Sequence, residues 1–155
     1  MPDPLADPAV ITRCALIAAS FRRLLGRDLL PGLPSDPAAI AQAIDTAPVV
    51  ILSHDGGERP RFTYANATAR RLWELEWERF IGMPSEQSAE PDQREAREAL
   101  LARAHRDGFI DDYRGIRITA SGRRFAIEDV ILWNLVDDTG TSHGQAATFA
   151  RWTFL

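Results

Sequence analysis

The chain contains no lysine, so all eighteen of its basic side chains are arginine. That absence excludes a phosphate-loop lysine, a Schiff-base lysine and a lysine general base. Cysteine occurs once, at Cys14. A lone cysteine forbids an internal disulfide and any multi-cysteine zinc or iron–sulfur site, and it fits a reducing compartment. Histidine occurs only at positions 54, 105 and 143, too scattered to spell a metal site, and none is assigned. Long hydrophobic runs are missing too. The apolar stretch nearest the start, Cys14 to Ala19, is too short for a signal segment or a membrane span, and Met1-Pro2-Asp3-Pro4 carries no basic residue. The expected location is cytosolic. There is no glycine-rich phosphate fingerprint and no repeat. A formal net charge of −4 disfavours general binding to nucleic acid or anionic membrane.

What is present suits one soluble domain of 155 residues with 45% hydrophobic side chains. Asp7 and Pro8 open a helix that Gly26 closes. Within it Val10, Cys14, Ile17, Phe21, Leu24 and Leu25 recur at helical spacing. Ser35, with Asp36 and Pro37 in the first turn, opens a second helix ending near Ala47-Pro48. From residue 48 the pattern changes to strands, at about 49–52 and 61–64. Asn66 then caps a short helix over about 67–74. Another turn of helix contains Trp77 and Phe80, and a longer helix runs from Gln93 to Arg106. Three strands follow, at about 112–119, 123–135 and 144–153. This order predicts an α+β architecture: a five-stranded antiparallel sheet with helices on one face, over residues 48–155, preceded by an N-terminal helical extension over 1–47.

The hairpin, then Tyr64-Ala65-Asn66 opening a short helix, then Phe80-Ile81-Gly82, resembles the PAS sensory domain. A more specific similarity, to the MEKHLA domain, rests on several further segments. They are Ser53-His54-Asp55, Phe62-Thr63-Tyr64-Ala65-Asn66, Met83-Pro84-Ser85, Gly108-Phe109-Ile110, Tyr113-Arg114-Gly115-Ile116-Arg117, Gly122-Arg123-Arg124-Phe125, Val130-Ile131-Leu132-Trp133-Asn134 and Gly144-Gln145-Ala146-Ala147-Thr148-Phe149. MEKHLA is a PAS-related family that occurs as small stand-alone bacterial proteins and at the C-terminus of plant homeodomain–leucine-zipper regulators. The family pattern carries an arginine after Pro-Ser where this chain has Glu86-Gln87. The resemblance implies a PAS-like fold and a sensory or regulatory role. It brings no catalytic set and names no cofactor.

A two-residue turn at Ser121-Gly122 would pair Ile118 with Phe125, Ile116 with Ile127 and Arg114 with Asp129. These would share one face with Ile131 and Trp133, under the helices. Arg114 and Asp129 then form either a structural ion pair or a polar anchor for a ligand. Trp73, Trp77 and Trp133 are candidates to stack on a planar, apolar or aromatic ligand between sheet and helices, or are core or interface aromatics, and Tyr64 is placed at the same ligand site. His105 is a candidate axial ligand for haem, or a helix-end histidine favoured by the macrodipole. His54 and His143 are read as turn residues facing water. Cys14 lies outside the PAS-like core, so a flavin photoadduct is excluded while noncovalent flavin stays open. The first helix either dimerises through its apolar stripe or folds back over its own sheet. The expected partners are therefore an unidentified small molecule and a second copy of the chain. No catalytic constellation is found; the alternative is a small cone-shaped α+β isomerase with Asp129 as carboxylate base.

Overall fold

The computed structural model describes residues 3–155. Helix α1 spans Pro8–Leu25: the Asp7 carboxylate accepts from Ala9 N–H at 2.9 Å, Pro8 occupies the first position, and left-handed Gly26 ends it. Helix α2 covers Pro37–Thr46. Its cap is Asp36, which accepts from Ala39 N–H at 3.0 Å, rather than the Ser35 expected one residue earlier. Strands β1 (Val50–His54) and β2 (Phe62–Ala65) form the first hairpin. Three helices follow: α3 (Ala67–Trp73), α4 (Trp77–Phe80) and α5 (Pro91–Asp107). The chain then runs through β3 (Phe109–Ile118), β4 (Arg124–Val136), β5 (Ser142–Phe149) and β6 (Arg151–Phe154).

The sheet is antiparallel in the order β2-β1-β5-β4-β3, and β6 continues β5 along β4 beyond a break at Ala150. The six strands therefore occupy the five positions expected. Helices α3–α5 cover one face. The other face is covered by α1 and α2, so the N-terminal stripe folds back over its own sheet. There Phe21 meets Trp133 edge-on at 4.9 Å, and Trp133 Nε1–H donates to Ile17 O at 3.3 Å.

Asn66 ties the halves together. Its Oδ1 accepts from Ala69 N–H at 3.0 Å and Ile51 N–H at 3.1 Å, while its amide donates to Ile44 O at 3.0 Å and Val49 O at 2.8 Å. One fully buried side chain thus caps α3 and links it to β1 and the end of α2.

The β3–β4 hairpin differs from the expected register by one residue. Thr119 N–H bonds Arg123 O at 2.9 Å, so the loop is the three residues Ala120-Ser121-Gly122, with Gly122 at φ +89°. Ile118 therefore pairs with Arg124, and Arg117 with Phe125. A bulge at Glu128-Asp129, with Asp129 at φ +53°, changes the alternation a second time. As a result Phe125, Ile127, Val130 and Leu132 face α3–α5, whereas Ile131, Trp133 and Leu135 face α1.

Candidate functional site

The apolar layer between the sheet and α3–α5 is not filled. A cavity of about 40 Å³ lies there, lined by Leu52, Phe62, Trp73, Leu101, Ile127, Val130, Leu132 and Phe149 among apolar residues. That is room for roughly three water molecules. Polar side chains also reach it: His54 from the end of β1, Arg97 from α5, Arg117 from β3 and Ser88.

The two arginines set the electrostatics. Arg97 is 7% exposed and Arg117 5%. Among the described residues no carboxylate lies within 4.0 Å of either guanidinium. Burial lowers the Arg97 pKa to about 10, against the more distant pull of Glu86 and Glu98. Burial, and then the charge of Arg97, lowers Arg117 to about 9. Arg117 keeps one bond, from Nη1 to Ile116 O at 2.7 Å, and its guanidinium lies 5.3 Å from the centre of the Tyr113 ring. Gly115 makes this fold-back possible, because a Cβ there would stand 2.8 Å from Arg117 Nη1.

His54 is buried, and its Nδ1 accepts from Gly56 N–H at 3.1 Å. Burial and the nearby Arg97 push its pKa down to about 3, against Asp55, so the ring is neutral. With Nδ1 accepting, the proton sits on Nε2, and that N–H is buried without an acceptor. The indole N–H of Trp73 is buried without an acceptor as well. Outside this cavity, and sharing His54, Arg97 and Leu101 as a common wall, lies an open cleft of about 520 Å³. His105 lines that cleft, beside Glu98 and Gln145. The backbone at its floor is tight: a Cβ at Gly144 would clash with the His54 carbonyl oxygen.

Of the residues singled out from sequence, only Trp73 lines the inner cavity. Tyr64 is buried on the opposite face, because an irregularity in the β1–β2 pairing at Thr63 turns it away from Phe62. Its hydroxyl donates to Asp45 Oδ1 at 3.1 Å, and Asp45 also accepts from Arg70 at 3.2 Å. Trp133 is likewise under α1. Arg114 and Asp129 are not a core pair. The Arg114 side chain is 72% exposed and lies 3.4 Å from Glu128, while the Asp129 side chain is 74% exposed and lies 3.6 Å from Arg151. An exposed, ion-paired Asp129 is not a base in an apolar pocket, which removes the geometry of the isomerase alternative. His105 is exposed on the outer side of α5, away from the cavity where a haem would stand. In the closed arrangement, the space of about 40 Å³ holds neither haem nor a flavin ring system. Cys14 is buried under the far face, and burial pushes its thiol up to about 12. No group of three or more metal-ligating side chains exists among the described residues, and no helix there is long and apolar enough to cross a membrane.

His54, Arg97 and Arg117 were missed. His54 continues the alternation Val50-Leu52-His54, which points it inward and contradicts the turn reading. Arg117 alternates with Gly115 and Tyr113 in the Tyr-Arg-Gly-Ile-Arg segment. Arg97 leaves no signal, since it is one of several arginines on a polar helix.

Solved structures share this architecture. The PAS domain of a protein from Colwellia psychrerythraea superposes with a TM-score of 0.63 at 16% identity, over 74% of this chain and 92% of that one. An RNA-binding light-oxygen-voltage receptor gives a TM-score of 0.61 at 18% identity, over 79% of this chain and 35% of that one. At these identities the likeness establishes the fold. Among curated proteins, the homeobox-leucine zipper protein HOX32 of Oryza sativa subsp. indica is 25% identical over 99% of this chain, and HOX33 of the same subspecies is 23% identical over all of it. The chain spans only 18% of the length of either relative. The MEKHLA domain family model matches residues 11–154, taking in most of α1, the whole sheet and the Tyr113–Arg117 segment that carries the buried arginine. On that coverage the chain belongs to the MEKHLA domain family, built on a PAS-type sheet.

Proposed function

We propose that this domain is a small-molecule sensor whose ligand occupies the space between the sheet and α3–α5. The observation that carries this reading is that one cavity is lined by two side chains with a buried N–H lacking a partner, Trp73 and His54, and by two buried arginines with no carboxylate within 4.0 Å. Away from it, among the described residues, Ser85 Oγ is left without a partner. Buried donors without a protein acceptor are rare in native proteins, and where they cluster at a cavity they are met by bound water or by a ligand that displaces it.

The wall that would move is α5. Along its seventeen residues it buries only Arg97 and Ala104, and it begins without a side-chain cap. An element with so little apolar burial opens at low cost. Outward movement of α5 joins the inner cavity to the cleft and gives a fragment-sized ligand room to enter. Closure over the ligand would then alter α5 and the adjoining β3, the surfaces from which a signal could pass to a partner. A homodimer would need a surface other than the α1 stripe, which its own sheet already covers.

Hydrogen exchange of the intact chain during a thermal-shift screen of small neutral and charged molecules tests this. A binder should raise the melting temperature and slow exchange in α3, α5 and β3, leaving α1 unchanged. A screen without any binder, or protection confined to α1 and α2, would defeat the proposal.

A further inference from the structure

The partners that this cavity lacks are all of one kind. The indole N–H of Trp73 and the Nε2–H of His54 are buried donors with nothing to accept them. The guanidiniums of Arg97 and Arg117 are buried cations with no carboxylate within 4.0 Å among the described residues. The lining includes no aspartate or glutamate. Around these donors the walls are aromatic and aliphatic. We infer that the ligand is a small organic acid, its carboxylate held by Arg97 and Arg117 and its apolar body packed between Trp73, Leu132 and Phe149.

This deepens the sensor reading and rests on it. Two buried cations without a carboxylate beside them, with the charge of Arg97 felt at Arg117, are costly to bury, and one anion shared by both offsets burial and repulsion. A planar guanidinium matches the two oxygens of a carboxylate in a fork, which a lysine would not do. His54 can serve only as a neutral donor, since its other ring nitrogen is occupied by Gly56. The apolar walls argue against a compact polyanion such as inorganic phosphate, which would leave them unpaired and lose more hydration. Arg97 and His54 also line the outer cleft, so the interior is reached past them. Asp55, Glu58, Glu86 and Glu98 line the same cleft, so the pull on an anion comes from the buried guanidiniums and not from the cleft as a whole. Gly115 leaves room for the guanidinium where it lies, since a Cβ there would press on Arg117 Nη1.

Calorimetric titration of the wild-type chain and of Arg117→Met with phenylacetate and butyrate, against phenylacetamide, butyramide and inorganic phosphate, tests the inference. Wild type should bind the acids at least tenfold more tightly than the matching amides or phosphate. In Arg117→Met the acid preference should fall at least tenfold while amide affinity stays the same. Amides binding wild type as tightly as acids would overturn acid recognition and leave the sensor pocket standing. Phosphate binding as tightly as phenylacetate would overturn the apolar body. Absence of binding by every probe would count against the pocket itself. Arg97→Met provides the same comparison should Arg117→Met fail to fold. For wild type alone, acid affinity must fall as sodium chloride rises while amide affinity does not; equal salt responses would also overturn the inference.

Discussion

The two faces of the sheet are built from the same strands, yet they treat buried polarity differently. On the α1–α2 face the Trp133 indole donates to Ile17 O, the Tyr64 hydroxyl to Asp45, and the Asn66 amide to two carbonyls, while Asp45 is paired with Arg70. On the α3–α5 face Trp73 has no acceptor, the outer nitrogen of His54 has none, and two arginines are buried without a carboxylate beside them. Tryptophan occurs on both faces, so residue type does not explain the contrast. The first face is complete in the free protein. The second carries unmet demands that a ligand would meet, and it accepts lower stability in order to do so.

The largest test of this comparison is on the complete face. Trp133 is wholly buried against Phe21 and hydrogen-bonded to α1. Trp133→Ala should destabilise the chain by about 3–5 kcal/mol in urea unfolding, through lost burial and a cavity. A loss below about 1 kcal/mol would mean that α1 does not hold the sheet as described.

On the incomplete face the expected sign is opposite. Arg117→Met removes a buried, unpaired cation and keeps a side chain of comparable length beside Tyr113 and Phe125. The ligand-free chain should gain about 1–3 kcal/mol by the same measurement, as happens when buried charges are replaced by apolar groups. A loss of that size would show that Arg117 is structural and that the two faces are alike.

The element order, the helix caps at Asp7 and Asn66 and the approximate strand positions were legible in the sequence, because each follows from local spacing and capping chemistry; the start of β3 at Phe109 and the break at Ala150 were not. The site was half legible. The segment Tyr113–Arg117 stood out, but the inward arginine is Arg117 rather than Arg114, and two local events decide this. A left-handed Gly122 makes the loop one residue longer than the two-residue turn that Ser-Gly suggests. A left-handed Asp129 then adds a bulge, so that residues 125 and 127 share a face with 130 and 132. Asp129 is not glycine, so its positive φ is not announced by the sequence; it lies opposite the break at Ala150 on the neighbouring strand. Strict alternation consequently carried Trp133 to the wrong face. Arg97 was not legible at all, since only the packing of α5 distinguishes it from the other arginines of that helix.

The smallest expected effect lies in the pH dependence of the incomplete face. His54 titrates near 6.5 when unfolded and near 3 when folded, because burial and the charge of Arg97 oppose its protonation more than Asp55 favours it. A base whose folded pKa is depressed leaves the unfolded chain holding the extra proton between those values. Stability is thus fully present above pH 6.5, falls as the pH drops toward 3, and falls no further from this cause below that. Between pH 7.5 and 5.5 the loss from His54 should be about 1.4 kcal/mol. His54→Asn keeps an acceptor for Gly56 N–H but cannot titrate. Whatever its stability at pH 7.5, its decline to pH 5.5 should be shallower than that of wild type by about this amount. His105 and His143 are retained in both proteins and cancel in the difference. Parallel declines would place His54 in water, and with it the wall that separates the cleft from the cavity.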